Sequence, residues 1–342
     1  MNTEVLSIHN STLFEHALEK AVALLNLGHV VALPTETVYG LAADALNPTA
    51  IQTIYDTKRR PATNPLIVHI ASRQMLNDCV GDWPERAEKF ARSFWPGPLT
   101  LVLPKAACIT NGITAGLDSV ALRWPGHPFM QAAIRRLGRP VAAPSANLAN
   151  QLSPTSAEHV LTQLNGRIPL IVDGGASNVG IESTVLDLCG KTPTVLRPGM
   201  IHLESLQAVD PETKNQVPLK ENELKGSQEP QLSPGLHRKH YAPQARMKLL
   251  SWETSSNLES KVAALGAKLE KTCIICHDRI PSPDGFARVS VIPHDPEAYA
   301  RALYGELFIA DREEPDLILV ESVPNTPSWH GVQDRLTRAS TD

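Results

Sequence analysis

The feature that most restricts this chain is a repeated alternation of short, unbroken apolar runs with longer segments of helical periodicity. His29-Val-Val-Ala-Leu33, Leu66-Ile-Val-His-Ile70, Leu99-Thr-Leu-Val-Leu103, Val120-Ala-Leu-Arg123, Pro140-Val-Ala-Ala-Pro144 and Leu170-Ile-Val-Asp173 are too short for core helices. Continuous rather than alternating apolarity is what a strand covered on both faces needs. Pro34 ends the first run, because proline offers no N–H to a ladder. Ahead of it, Leu13, Phe14, Ala17, Leu18, Ala21, Val22 and Leu25 recur at helical spacing behind the capping-box sequence Thr12-Leu-Phe-Glu15, and Gly28 supplies a stop. The spacing predicts a helix over 12–27. Asn47-Pro48 caps a second helix running to Lys58; 84–94 and 128–137 read as helices, and Ser153-Pro154 opens another. Strands mixed with helices in this way predict an α/β fold.

From 202 to 244 the character changes to polar, Pro-containing sequence without periodicity, which reads as a linker between units at 1–201 and 245–342. Beyond it, strands at 247–250, 273–276 and 317–320 alternate with helices at 258–271 and 296–310, the pattern of a small Rossmann-like domain. At 342 residues the chain has room for two cores. It lacks any run of about 18 apolar residues and any signal-like start, so a soluble cytoplasmic protein is expected. Five scattered cysteines point to free thiols in a reducing compartment. A net charge of −4 excludes a protein that coats nucleic acid through global basicity.

An anionic ligand must then meet a local cluster of cations. Lys58-Arg-Arg-Pro61 lies at a predicted helix end, where cations are favoured by the dipole and are equally at home in solvent; a lysine there is expected to matter little to the fold. Arg123 ends a strand, Arg197 precedes Pro198-Gly199, and Ser145, Asn147 and Ser153 occupy loops. Ser153-Pro154 at a helix start would aim free N–H groups at an anion. No GxxxxGK[ST], GxGxxG or GxSxG occurs, so a nucleotide would be held by scattered side chains, and Ser145 is not a nucleophile-elbow serine. His69 alone reads as a structural histidine. Cys273-Ile-Ile-Cys-His277 matches a haem-attachment or redox pattern by letter, but residues three apart on a strand face opposite ways.

In this order, Pro34-Thr-Glu-Thr-Val-Tyr-Gly-Leu41, Lys58-Arg-Arg-Pro61 with Asn64-Pro-Leu-Ile-Val-His69, Trp95-Pro-Gly-Pro-Leu-Thr100, Ala143-Pro-Ser-Ala-Asn147 with Ser153-Pro-Thr155, Glu182-Ser-Thr184, Leu196-Arg-Pro-Gly199 and Ser233–Pro243 resemble the YrdC-like family in its two-domain form. The resemblance implies a twisted open mixed sheet with a concave basic cleft, plus a small C-terminal Rossmann-like domain. It implies synthesis of threonylcarbamoyl-AMP and pyrophosphate from L-threonine, bicarbonate or CO2, and ATP, for threonylcarbamoyladenosine modification of tRNAs reading ANN codons. By match to the family's motifs, Thr35, His69, Arg123, Ala143 and Ser183 take threonine, with Arg123 gripping its carboxylate through a bidentate fork. Lys58, Arg60, Ser119, Ser145, Asn147, Ser153, Arg197, His240 and Tyr241 take ATP, and Lys58 and Arg60 are the catalytic pair. The segment 202–244 is implied to close over the site, with contacts from His240 and Tyr241 rather than from 236–238. Mg2+ is expected with the triphosphate, and the product passes to the tRNA threonylcarbamoyl-transfer machinery; direct tRNA contact stays open. Rival readings are an RNA-binding module using the cleft without turnover, a hydrogenase-maturation carbamoyltransferase, and a regulatory nucleotide-binding protein.

Overall fold

The computed structural model describes residues 2–216 and 240–340. Eleven strands, β1 (Glu4–Ser7), β2 (Val31–Leu33), β3 (Gly40–Asp44), β4 (Ile67–His69), β5 (Leu99–Pro104), β6 (Ser119–Arg123), β7 (Val141–Ala142), β8 (Leu170–Asp173), β9 (Thr184–Asp187), β10 (Thr194–Arg197) and β11 (Lys214–Asn215), form one mixed sheet in the order β1-β8-β2-β3-β7-β4-β6-β5-β9-β10-β11. The apolar runs are its central members: β2, β4 and β7 are buried throughout and β5 as far as Leu103, as continuous apolarity demands. Helices at Ser11–Asn26, Pro48–Lys58, Glu85–Phe94 and Pro128–Leu137 stand where periodicity predicts them. Asn47 caps the second by accepting from Thr49 N and Ala50 N, whereas the first is capped by Asn10 and not by Thr12.

Three expectations are corrected. The helix after Ser153-Pro154 starts only at Ala157, capped by Ser156, so Ser153 does not sit at a helix N-terminus. The segment from 202 is not structureless: Leu203–Gln207 is helical and β11 extends the sheet, because Thr194 and Val195 of β10 still offer an open edge. The run 258–271 breaks into a helix at Ser255–Ala264 and a separate turn at Leu269–Lys271, since Gly266 adopts φ +73°. The linker signature at 233–239, including 236–238, lies outside the described residues.

A second sheet carries β12 (Arg246–Leu250), β13 (Thr272–Cys276), β14 (Arg288–Val291) and β15 (Leu317–Glu321), all parallel, in the order β12-β15-β13-β14. Helices Pro296–Arg312 and His330–Ala339 lie on the side facing the large sheet's unit. Cys273 and Cys276 belong to different apolar clusters, as residues three apart on a strand must, and burial raises their thiol pKa values to about 11 and about 12. They are inert core thiols. The two units share a core: Val38, Leu152 and Ile181 pack in one cluster with Tyr299, Leu303 and Trp329. His159 stacks on Phe308 at 4.0 Å, and Arg312 pairs with Glu158 at 2.7 Å.

Candidate functional site

The sheet's register explains why distant residues meet. β4 and β6 run parallel side by side, so their last residues, His69 and Arg123, are direct neighbours. β9 runs antiparallel to β10 and parallel to β5, which puts the start of β9, preceded by Glu182 and Ser183, and the end of β10, Arg197, at that same end of the sheet. The turn after β2 brings Thr35 and Thr37 over it, and the loop after β7 adds Ala143, Pro144 and Ser145. Together with Arg60, His240 and Tyr241 these residues line one pocket, whose space between atoms, mouth included, is about 550 Å³. Such convergence of loops at strand ends is where open α/β sheets bind ligands.

At one end, two lining residues carry a buried polar atom without a hydrogen bond among the described residues, His69 Nδ1 and Arg123 Nη2, and Glu36, which is not itself a lining residue, carries a third at Oε2. Arg123 donates Nε to Gly97 O (3.1 Å) and Nη1 to Thr37 Oγ1 (2.9 Å). Its Nη2 stands 2.7 Å from Glu36 Oε1, a buried ion pair. Its fork is thus shared among Gly97 O, Thr37 Oγ1 and Glu36 in this structure. Burial opposes ionisation of Glu36, but Arg123 and the Gly126 N–H outweigh it and hold its pKa below the usual carboxylate value. Thr35 Oγ1 donates to Val38 O at 2.6 Å, which fixes the turn. Ser183 Oγ hydrogen-bonds Thr100 Oγ1 at 2.7 Å.

Burial, helped by the Arg123 charge, depresses the His69 pKa to about 3, so the ring is neutral at physiological pH. The unfolded chain binds a proton near 6.5 and the folded one only near 3, so this residue destabilises the fold as pH falls below 6.5. At pH 5 the loss is about 2 kcal/mol. Denaturant titrations of the wild type and His69→Gln between pH 7 and pH 5 check this: the variant is expected to lose less stability by about that amount, and parallel profiles would contradict it.

The other end is cationic. Arg60 donates Nε to Asn64 O (3.1 Å) and Nη2 to Pro65 O (2.7 Å), while Nη1 has no hydrogen bond among the described residues; burial brings its pKa down to about 10, still charged. Arg197 holds Ser183 O through Nε at 3.1 Å and Nη2 at 3.0 Å. Ser145 donates Oγ to Asn147 Oδ1 at 2.5 Å. Tyr241 lines the pocket with φ +60°, its hydroxyl without a hydrogen bond among the described residues.

Several expected positions lie elsewhere. Lys58 is not a solvated helix-end lysine: it is 1% exposed, and its Nζ donates to Ser145 O (2.5 Å), Asn147 O (2.7 Å) and Asn147 Oδ1 (3.0 Å). It stands behind the lining residue Ser145, and burial and then Arg60 push its pKa down against the pull of Glu182. Asn147, its side chain spent on Lys58, Ser145 and Gln151 O, lies behind the wall with it. Ser153 is enclosed and donates Oγ to Glu182 Oε1 at 2.5 Å. Ser119 begins β6, four residues from Arg123 and therefore about 13 Å away along the strand. None of these four is among the lining residues.

Sequence reasoning gave no role to Glu36, Thr37, Glu182 or Arg335. Glu36 and Glu182 were legible as members of the quoted motifs, but their partners Arg123 and Arg335 are 87 and 153 positions away (123 − 36 and 335 − 182), beyond any local pattern. Arg335 gave no signal of its own.

Comparison with known proteins agrees with this architecture. Residues 23–199 match the family model named for Sua5, YciO and YrdC and described as "Telomere recombination", and residues 201–341 match "Threonylcarbamoyl-AMP synthase, C-terminal domain". A curated threonylcarbamoyl-AMP synthase of Bacillus subtilis is 41% identical over 94% of this chain and 92% of its own length. One from Pyrococcus abyssi is 38% identical over 95% and 94%. The crystal structure of P. abyssi Sua5 complexed with L-threonine superposes with a TM-score of 0.88 at 37% identity, covering 99% of this chain and 98% of that one. With both family models matched in sequence order and full-length relatives this similar, the chain belongs to the two-domain threonylcarbamoyl-AMP synthase family.

Proposed function

We propose that this protein condenses L-threonine, bicarbonate or CO2, and ATP into threonylcarbamoyl-AMP and pyrophosphate, supplying the activated group for threonylcarbamoyladenosine in tRNA. The observation that carries the reading is one pocket with two chemically distinct ends. His69 and Arg123, the latter ion-paired with Glu36, suit a small zwitterion, and Arg60 and Arg197 suit a polyphosphate. A P. abyssi relative is known in complex with L-threonine, which supports placing threonine at the first end, with Thr35, Ala143 and Ser183 beside it. ATP then lies along Arg60, Ser145 and Arg197, covered by His240 and Tyr241.

The threonine amine adds to CO2 and releases one proton to solvent, and an oxygen of the resulting carbamate attacks the α-phosphorus of ATP. The new bond is carbamate O to phosphorus, and the bond broken is from the α-phosphorus to the bridging oxygen of pyrophosphate. Starting from bicarbonate, one water leaves. No protein nucleophile is consumed, so the work is positioning three anions and neutralising their charge. A pocket covered by Tyr241 also shields a labile adenylate from water. No cluster of three or more His, Cys, Asp or Glu that could hold a metal ion occurs among the described residues, and Glu182, the acid of the lining, is already engaged. Any Mg2+ enters as part of the MgATP substrate. No described helix is long and apolar enough to cross a membrane, in keeping with a cytoplasmic role beside the tRNA-modifying machinery.

Pure protein incubated with ATP, threonine and labelled bicarbonate is expected to give a labelled AMP conjugate and pyrophosphate only when threonine is present. Threonine-independent hydrolysis, or RNA binding without turnover, would overturn the proposal.

A further inference from the structure

Glu182 is the single carboxylate among the described residues that line the pocket, and it sits with Arg197 on the side assigned to ATP. A bare negative charge there would oppose a triphosphate. Its oxygens, however, are met by Ser153 Oγ at 2.5 Å, the Tyr304 hydroxyl at 3.2 Å and Arg335 Nε at 2.7 Å. Tyr304 and Arg335 come from the second unit, on helices Pro296–Arg312 and His330–Ala339.

Arg335 is held as a fixed part. It is 1% exposed, donates Nη2 to Glu182 O at 3.1 Å and Nη1 to Pro198 O at 2.7 Å, and lies 5.4 Å from the centre of the Tyr241 ring. Asp334 is also 3.0 Å away, but Arg338 pairs with it at 2.9 Å, so Arg335 still answers Glu182. Its helix also touches the covering segment, where His240 N donates to Arg338 O at 3.3 Å.

We propose that Arg335 is a positioning residue for nucleotide binding: reaching in from the second unit, it cancels the charge of Glu182, so that Arg60 and Arg197 meet the triphosphate without a competing anion. The second unit is on this account a charge-setting part of the ATP site. The inference rests on the ATP reading above, and its test is arranged to separate the two.

Both Arg335→Met and Glu182→Gln lose stability, because each strands a buried partner. Their effects on ATP must differ in sign. Arg335→Met is expected to raise the KM for ATP at least about tenfold with the KM for threonine held within about threefold, Glu182→Gln to lower the KM for ATP, and the double variant to return it to within about threefold of wild type. Pyrophosphate release under saturating co-substrate reads all three. Both single variants raising the ATP KM by similar factors, or Arg335→Met raising both KM values alike, would reduce the pair to a fold-holding contact and overturn the proposal. If Arg335→Met does not fold, the other two variants decide: an ATP KM raised about tenfold in either one overturns it. If the wild type shows no threonine-dependent turnover, the activity reading fails by itself, and equilibrium dialysis with labelled ATP on the same variants still tests the charge effect.

Discussion

Lys58→Met is expected to lower turnover by roughly two orders of magnitude and to destabilise the fold by about 3 kcal/mol. The ammonium ties the end of helix Pro48–Lys58 to the loop after β7 through Ser145 O, Asn147 O and Asn147 Oδ1. Methionine fills similar space and offers no donor, leaving buried acceptors unmatched. The loop that carries Ala143 and Ser145 into the pocket then loses its tether, and a displacement near 1 Å at a reacting centre is enough for a loss of about that size. Chemical denaturation together with pyrophosphate release measures both effects. A stable but inactive variant would instead place Lys58 in direct contact with substrate, and a fully active one would remove it from the site's support.

Gly180→Ala is expected to cost at least about 3 kcal/mol, from the left-handed backbone and overpacking together. Gly180 has φ +84°, and a Cβ there would lie 2.4 Å from both Ala300 O and Arg301 Cα. These are backbone atoms of helix Pro296–Arg312, so neither neighbour can rotate away; the helix itself must retreat, taking Tyr304 from Glu182. A fall in melting temperature of at least about 4 °C follows for a chain of this size, with ATP use impaired in the survivors. A variant that melts with the wild type would mean that the two units are not pressed together at this point.

The parts of this architecture that were legible in sequence are those set by local rules. The apolar runs at 29–33, 66–70 and 140–144 became central strands because burial on both faces imposes composition residue by residue. Pro128–Leu137 could be bounded because Pro128 starts it and Gly138, at φ +72°, ends it. What was hidden is whatever depends on pairing across the chain. β14, β9 and β10 are short and only partly apolar, and they are strands because a neighbouring edge is open to them. Lys58 looked like a surface lysine because sequence places it at a helix end and says nothing of the 143–147 loop folded over it. Ser119 and Arg123 share one strand, yet only the register shows that the pocket lies at the arginine's end.

The edge of the large sheet has a consequence for how the chain acquires its shape during synthesis. β1 pairs with β8 in parallel, Glu4 opposite Leu170, and Thr3 Oγ1 donates to Ile168 O at 2.7 Å. β1 therefore leaves the ribosome 166 positions ahead of its partner (170 − 4), roughly 8–33 s at ordinary elongation rates. Throughout that interval β1 and the β2 edge that β8 will cover are open to mispairing, and helix Ser11–Asn26 is the local structure available to shield them. Slow, late closure of a long-range parallel pair makes nascent-chain chaperones and growth temperature, more than core composition, the natural determinants of yield.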